Sequence, residues 1–203
     1  MIRALAFSAL VLVAACSKAP APAAPEPLNS GAWSVVADES RLSFVSVKSN
    51  AIAEAHHFTK LSGGVSPEGV AQIDIDLASL ETLLEQRNER MREFLFDVQN
   101  FPAATVSATL DPNTFATMDV GARTVIPLDL TVDLHGMSAP AMGNAYVTRV
   151  GANRVAVESV DPIVVYAATH DLTDGIEELR GLAELDSIAP VAPVTFSLVL
   201  ERS

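Results

Sequence analysis

A helical pattern set between two strand patterns is the feature that most constrains how this chain can fold. Residues 73–77 alternate apolar and acidic side chains, which is typical of a strand with one buried and one wet face. From Leu80 to Leu95 apolar residues recur every three or four positions, which predicts an amphipathic helix capped by Ser79. Alternation resumes at Val106 after a break at Phe101–Pro102. The helix is therefore predicted to lie in a long excursion between two strands.

Three further segments alternate in the same way, at residues 42–44, 126–134 and 196–200. Each has one apolar and one polar face, so the sequence predicts an all-β fold with minor helices. Both a closed barrel and a β-sandwich would give this pattern. A second, weaker helical pattern covers Ile176 to Leu185, between Gly175 and Pro190. Two helices near the openings of a barrel could either close a tunnel around a ligand or simply complete the core.

Several short motifs occur in an order that resembles the YceI-like, lipocalin-like family. They are Trp33 with Asp38, Ser40, Leu42 and Phe44; Thr82 and Arg87; Phe96-Asp97-Val98; Phe101 to Thr105; and Leu130 to Ala141. The resemblance runs from about Trp33 to the C-terminus. It implies an extended antiparallel lipocalin-like β-barrel whose interior holds a long isoprenoid chain, such as a polyprenyl or quinone tail. The chain departs from the family pattern at Asn88 and Arg90, where relatives commonly carry Asp and His.

Apolar residues on the predicted inward faces are the candidates for the lining of such a tunnel. They are Leu42, Phe44, Phe58, Ile73, Ile75, Leu77, Phe94, Phe96, Phe101, Val106, Leu128, Leu130, Val132, Tyr166, Phe196 and Leu198. The alternative is that the same residues form a filled core, as in most small barrels. No further cofactor is implied beyond a bound isoprenoid lipid or quinone as the ligand.

Arg87 matches the signature Arg of the family. This match predicts that Arg87 faces the mouth of the barrel and holds a carbonyl or phosphate head group. The alternative is a solvated helix face, on which Arg87, Arg90 and Arg92 exchange salt bridges with neighbouring glutamates. Arg90 and Arg92 are assigned to that solvated face.

The first residues are predicted to be a targeting signal rather than part of the fold. Arg3, the apolar run from Ala4 to Val11 and the small residues before Cys16 match a lipoprotein signal peptide over residues 1–15. An ordinary secretory signal is the alternative, but Cys16 is the only cysteine of the chain. The lipidated Cys16 would begin a tether over residues 16–30, rich in Pro and Ala. The barrel domain is predicted to occupy residues 31–203.

These features predict a location at the periplasmic side of the cell envelope, with attachment to the membrane through the N-terminal lipid. The neutral Ser17 after the cysteine favours the outer membrane over the inner one. A net charge of −12 argues against nucleic acid as a partner.

Catalytic and metal-binding patterns are sparse. His56 and His57 are adjacent, so on a strand they point to opposite faces and cannot share one metal. His135 is assigned to a turn, and His170 to a solvated loop. The sequence therefore predicts a non-enzymatic carrier that sequesters an isoprenoid amphiphile. The alternatives are an envelope adaptor or stress-response lipoprotein with a filled core, and a metal-dependent hydrolase using His56 or His170. A homodimer is left open.

Overall fold

A computed structural model describes residues 26–202 of the chain. The predicted signal peptide, Cys16 and the tether up to residue 25 lie outside this range. The strands are β1 Trp33–Val35, β2 Arg41–Lys48, β3 Ile52–Phe58, β4 Leu61–Val65, β5 Val70–Asp76, β6 Leu80–Glu81, β7 Ala103–Thr109, β8 Arg123–Leu134, β9 Met137–Gly151, β10 Arg154–Ser159, β11 Ile163–Tyr166 and β12 Val191–Arg202. The α-helices are α1 Glu85–Arg90 and α2 Thr173–Leu182, and a π-helical turn, Met91–Leu95, continues α1.

The strands form an eight-stranded antiparallel barrel. β1 and β2 are two parts of one long strand, and the same holds for β3 with β4, β5 with β6, and β10 with β11. Each long strand pairs with its neighbour in the sequence. The last strand, β12, pairs with β10 and β11 on one side and returns to β1 and β2 on the other. This return closes the sheet, which confirms the predicted barrel and excludes the sandwich.

The segment before β1, residues 26–30, falls within the predicted tether over residues 16–30 and packs against the barrel. Leu28 is 3% exposed and packs with Trp33 in the second of two core clusters, at one end of the barrel. The Trp33 indole Nε1 donates to the Leu28 carbonyl at 2.8 Å, and the Leu28 amide donates to the Ala116 carbonyl at 3.1 Å. Residues 26–30 thus cover one end of the barrel, which we call the floor.

Arg149 holds this floor in place. Its guanidinium is buried and donates to four backbone carbonyls, with no carboxylate partner among residues 26–202. The acceptors are Glu26 at 2.6 Å, Ala152 at 2.7 Å, Met118 at 2.9 Å and Gly151 at 3.3 Å. Three separate segments, around residues 26, 118 and 151, are therefore joined by one side chain.

The two helices lie at the opposite end, and the first is shorter than predicted. Leu80 and Glu81 form β6 against β3, so the helix begins only at Glu85. Ser79 does not cap it, because its hydroxyl accepts the amide N–H groups of Thr59 and Lys60. The turn between β6 and α1 is fixed instead by Asn88. Its side-chain Oδ1 accepts from the Thr82 amide at 2.8 Å and from the Thr82 hydroxyl at 2.6 Å.

The second helix, α2, begins three residues earlier than predicted, and Gly175 lies inside its first turn. It packs across the π-helical turn, which lies opposite Gly175. A Cβ at this position would lie 2.4 Å from the Phe94 carbonyl oxygen and 2.9 Å from the Leu95 Cα. Such close contact leaves no room for any side chain. Gly175 therefore allows α2 to pack closely against the π-helical turn.

We expect Gly175→Ala to lower the free energy of unfolding by about 1–3 kcal/mol, because the new methyl group meets backbone that cannot move aside cheaply. Gly181→Ala in the same helix is the matched control, since a Cβ there meets nothing within 4 Å. It should raise stability by about 0.5–1 kcal/mol through helix propensity alone. Urea unfolding of both variants measures the difference. Stabilisation by both substitutions would contradict the close packing.

Candidate ligand cavity

The barrel encloses an elongated cavity of about 480 Å³. This volume falls within the range of protein sites for small ligands. Leu28 and Trp33 line it at the floor, and Lys48 and Arg87 line it at the helix end, which we call the mouth. On β2 every second residue from Leu42 to Lys48 faces this space, a length of roughly 20 Å at about 3.3 Å per residue. A cavity of this shape fits a chain-like molecule better than a compact one.

Fourteen of the seventeen predicted site residues line the cavity. They are Leu42, Phe44, Phe58, Ile73, Ile75, Leu77, Arg87, Phe96, Val106, Leu128, Leu130, Val132, Phe196 and Leu198. Most come from strands that the period-2 alternation of the sequence predicts. The space between these side chains shows that the inward faces do not fill the barrel completely.

The structure places Phe94, Phe101 and Tyr166 outside the cavity, which corrects their predicted positions. The π-helical turn directs Met91 and Leu95 inward, and Phe94 is partly exposed. On β11 it is Val165 that faces the cavity, so its neighbour Tyr166 points outward and is 59% exposed. Phe101 lies before β7, and its ring packs against that of His135 with 4.5 Å between centroids.

Several lining residues are not predicted from the sequence. Leu28 falls within the predicted tether, and the only sequence signal for its packing is an apolar side chain directly after Pro27. Ile176 and Leu179 of α2 line the cavity near the mouth. Their helical spacing was recognised, but the spacing alone does not say which side of a helix meets the barrel.

An ion-pair cluster lies at the mouth. Lys48 Nζ and Arg87 Nη1 each lie 2.8 Å from the same oxygen, Oε2 of Glu54. Arg87 also donates through Nη2 to the Thr82 carbonyl at 2.5 Å. Hydrogen bonds from Lys48 and then Arg87 lower the pKa of Glu54 to about 2, so this carboxylate is ionised at neutral pH. The cluster ties the β2–β3 hairpin to α1 beside the opening.

Arg90 and Arg92, at the end of α1 and in the π-helical turn, differ in whether they line the cavity. Arg92 pairs with Glu85 at 3.1 Å and does not line the cavity. Arg90 lines the cavity, which corrects its assignment to a solvated helix face. Its Nη1 donates to the Leu182 carbonyl at 3.1 Å, a contact between α1 and the end of α2.

His56 is buried in the cavity wall below this cluster. Its Nε2 lies 2.8 Å from the Ser46 hydroxyl, and its ring packs against Phe44 with 5.1 Å between centroids. Burial, and next the positive charge of Arg87, lowers the pKa of His56 to about 4, so the imidazole is neutral at pH 7. Its Nδ1 has no hydrogen-bond partner within residues 26–202. A Ser–His contact with so weak a base and no orienting group does not form a nucleophilic triad.

We expect His56 to make the fold less stable as the pH falls. At pH 7.5 the imidazole is neutral in both the folded and the unfolded chain. Between pH 6.5 and 4 it is protonated in the unfolded chain but still neutral in the folded chain. Going from pH 7.5 to 5.0 should therefore cost about 2 kcal/mol through this side chain. The lowered pKa of Glu54 acts in the same direction, but its stabilising contribution is lost only as the pH falls below about 4.5, outside this range.

Urea unfolding of the wild type and His56→Gln at both pH values measures this effect. The variant should show a pH dependence smaller by about 2 kcal/mol. His57→Gln is measured for comparison: burial also lowers the pKa of His57, which does not line the cavity, so its loss should reduce the pH dependence in the same direction. An unchanged pH dependence in His56→Gln would contradict the assignment.

The remaining histidines are structural. His135 occupies the β8–β9 turn with φ 53°, as the sequence predicted for a turn residue. His170 is buried rather than in a solvated loop, and its Nδ1 lies 3.4 Å from the Met137 carbonyl. Across residues 26–202, His, Cys, Asp and Glu side chains nowhere gather in threes as metal ligands would. No helix in that range is both long and apolar enough to cross a bilayer.

Comparison with known proteins identifies the same family as the motifs. The model of the YceI-like domain matches residues 33–198. A polyisoprenoid-binding domain from Saccharophagus degradans, described as implicated in plant cell wall breakdown, superposes with a TM-score of 0.83. It is 38% identical in sequence, and the match covers 86% of this chain and 100% of that domain.

A more distant structure shares the fold. BcnA of Burkholderia cenocepacia superposes with a TM-score of 0.62 at 19% identity, over 81% of this chain and 98% of BcnA. No curated protein matches the chain. The barrel and its helices are thus common to proteins with widely different sequences.

Proposed function

Because this chain belongs to the YceI-like domain family, we propose that it binds a long-chain isoprenoid amphiphile inside its barrel. The observation that carries the proposal is the elongated apolar cavity, whose few charged residues all lie at one end. The name of the Saccharophagus degradans domain supports an isoprenoid as the ligand class. The thirteen apolar lining residues predicted from the sequence would contact the tail, and Arg87 lies where the head would be.

Burial of the tail would supply most of the affinity. Each Å² of apolar surface removed from water contributes about 25 cal/mol. A tail that buries several hundred Å² therefore retains a large favourable term after the cost of ordering it. The protein acts as a carrier rather than an enzyme in this proposal, because the Ser46–His56 contact lacks the base strength and the third group that catalysis needs.

The proposal includes a lipid anchor on Cys16 and a location at the periplasmic side of the envelope, with the outer membrane favoured. The described chain begins at residue 26, beside the floor. An anchor that enters there would join the barrel at the end opposite to Lys48 and Arg87.

Cys16→Ser is expected to move the protein from the membrane fraction to the soluble fraction, because the modified thiol would be absent. Metabolic labelling with a radioactive fatty acid and fractionation of the envelope measure this change. Ser17→Ala serves as the control and should remain membrane-bound. A Cys16→Ser protein that stays in the membrane fraction would contradict the anchor.

Native mass spectrometry of the soluble Cys16→Ser protein, followed by organic extraction, tests the binding proposal. A stoichiometric isoprenoid would support the carrier function and identify the ligand class. An empty protein that also fails to take up added quinone or polyprenyl phosphate would contradict it. In that case the alternative of an envelope adaptor would be favoured.

A further inference from the structure

We propose that the cavity selects amphiphiles with an anionic head, a phosphate monoester in particular, and that Arg90 is the side chain that holds this head. This inference rests on the proposed function, because it assumes that the apolar part of the ligand lies in the barrel. It narrows that function to one class of head group and names a residue, Arg90, at which this chain departs from the family pattern.

The charge of the cavity is opposite to that of the protein. The chain carries 25 acidic and 13 basic residues, a net charge of −12. The charged residues that line the cavity are three cations, Lys48, Arg87 and Arg90, and one carboxylate, Glu54. Their sum is 3 − 1 = +2. His56 adds no charge, because its lowered pKa keeps the imidazole neutral. One end of the apolar cavity is thus locally positive, although the protein as a whole is acidic.

The three cations are not equally available to a ligand. Lys48 and Arg87 share one oxygen of Glu54, so a single negative charge compensates both in part. Arg90 makes no ion pair with any carboxylate in residues 26–202, and its hydrogen bond goes to the neutral Leu182 carbonyl. It lies one helical turn after Arg87, on the side of α1 that faces the cavity. Arg90 therefore has its charge and its remaining N–H donors free for a ligand.

Position and chemistry together select the head group. No charged side chain lines the cavity below this cluster, so the tail would run towards Leu28 and the head would stay at the mouth. A guanidinium binds a phosphate through two parallel N–H···O bonds, which are stronger than bonds to a neutral carbonyl. The surroundings are partly shielded from water, where a charge pair is stronger than at an open surface. A neutral alcohol or quinone would gain nothing from the net positive charge.

The experiment compares two ligands that share one tail. Geranylgeraniol and geranylgeranyl monophosphate are titrated into the soluble Cys16→Ser protein below their micelle concentrations, and binding is followed by intrinsic fluorescence or calorimetry. We expect the phosphate to bind about tenfold more tightly than the alcohol. The ratio should fall as salt is raised from 0.05 to 0.5 M, because the mouth is open to ions.

Inorganic phosphate is the third probe and separates a lipid head from a free anion. Millimolar phosphate should leave the binding of geranylgeranyl monophosphate nearly unchanged, since the tail supplies most of the affinity. Complete displacement by inorganic phosphate would overturn the assignment of this site to a lipid head.

Arg90→Gln tests the residue itself, since glutamine keeps a donor for the Leu182 carbonyl but removes the charge. The preference for the phosphate should fall to about twofold or less. Arg92→Gln is the matched control on the same excursion, because Arg92 pairs with Glu85 and lies outside the cavity. It should retain the full preference.

Two outcomes would overturn the inference while the proposed function stands. One is equal binding of alcohol and phosphate by the wild type, and the other is a full preference retained in Arg90→Gln. If the wild type binds neither lipid, the proposed function fails, and the inference fails with it. The failures of the two proposals are therefore distinguishable.

Discussion

Arg149→Met is expected to lower the free energy of unfolding by about 3–5 kcal/mol. The guanidinium donates four hydrogen bonds to backbone carbonyls from three segments, and it is 1% exposed. Methionine fills part of the space but donates nothing, so several carbonyls would be left buried without a partner. Each unsatisfied group costs about 1–3 kcal/mol, and relaxation or entering water recovers some of the total. Urea unfolding at pH 7.5 measures the change.

Arg123→Met is the control for the loss of an arginine from the same side of the barrel. Arg123 lies over the Tyr146 ring at 3.6 Å and pairs with Glu158 at 3.3 Å, but both charged side chains are about half exposed. The loss should therefore be below about 1 kcal/mol. A similar small loss in Arg149→Met would mean that residues 26–30 are not held in place by this side chain.

The sequence predicts the strands well. On β5 and β8 the alternation of Ile75 with Asp74, and of Leu130 with Asp129 and Thr131, follows directly from a sheet with one apolar and one solvated face. Closure into a barrel could not be derived in this way, because a sandwich has the same alternation. It depends on β12 reaching back to β1, a contact between the two ends of the chain that only the family resemblance implied.

Helix boundaries were predicted less well, for a physical reason. Leu80 fits a helical pattern, but it pairs with Phe58 of β3 and is buried there. Leu83 then adopts a positive φ of 64°, which interrupts any helix that began earlier. Tertiary pairing thus overrides a local periodicity that is otherwise consistent with a helix.

The polar parts of the site were the hardest to predict. Glu54 lies opposite Ser46 in the β2–β3 hairpin, and only this register brings it next to Lys48. The contact between Arg90 and Leu182 joins residues that are 92 positions apart. The hydrogen bonds of Arg149 likewise cross from one end of the chain to the other. Neither spacing nor composition carries such long-range information.

Leu130→Trp is expected to reduce ligand binding at least about tenfold without unfolding the protein. Leu130 faces the cavity from β8, so the larger indole would occupy space that the proposed tail requires. The same substitution distinguishes a cavity from a filled core. Overpacking a filled core typically costs 1–3 kcal/mol, whereas an indole that enters empty space should leave the free energy of unfolding nearly unchanged or raise it. Lipid content by extraction and urea unfolding are measured on the same preparation.

Thr131→Trp is the matched control, because the next residue on β8 points to solvent and is exposed. It should leave both lipid content and binding unchanged. Two results would contradict the carrier proposal in different ways. Unchanged lipid content in Leu130→Trp would place the ligand elsewhere, whereas a loss of several kcal/mol would mean that the interior has no room for a tail. Weaker binding with retained stability requires a space that is both empty in the unliganded barrel and used by the ligand.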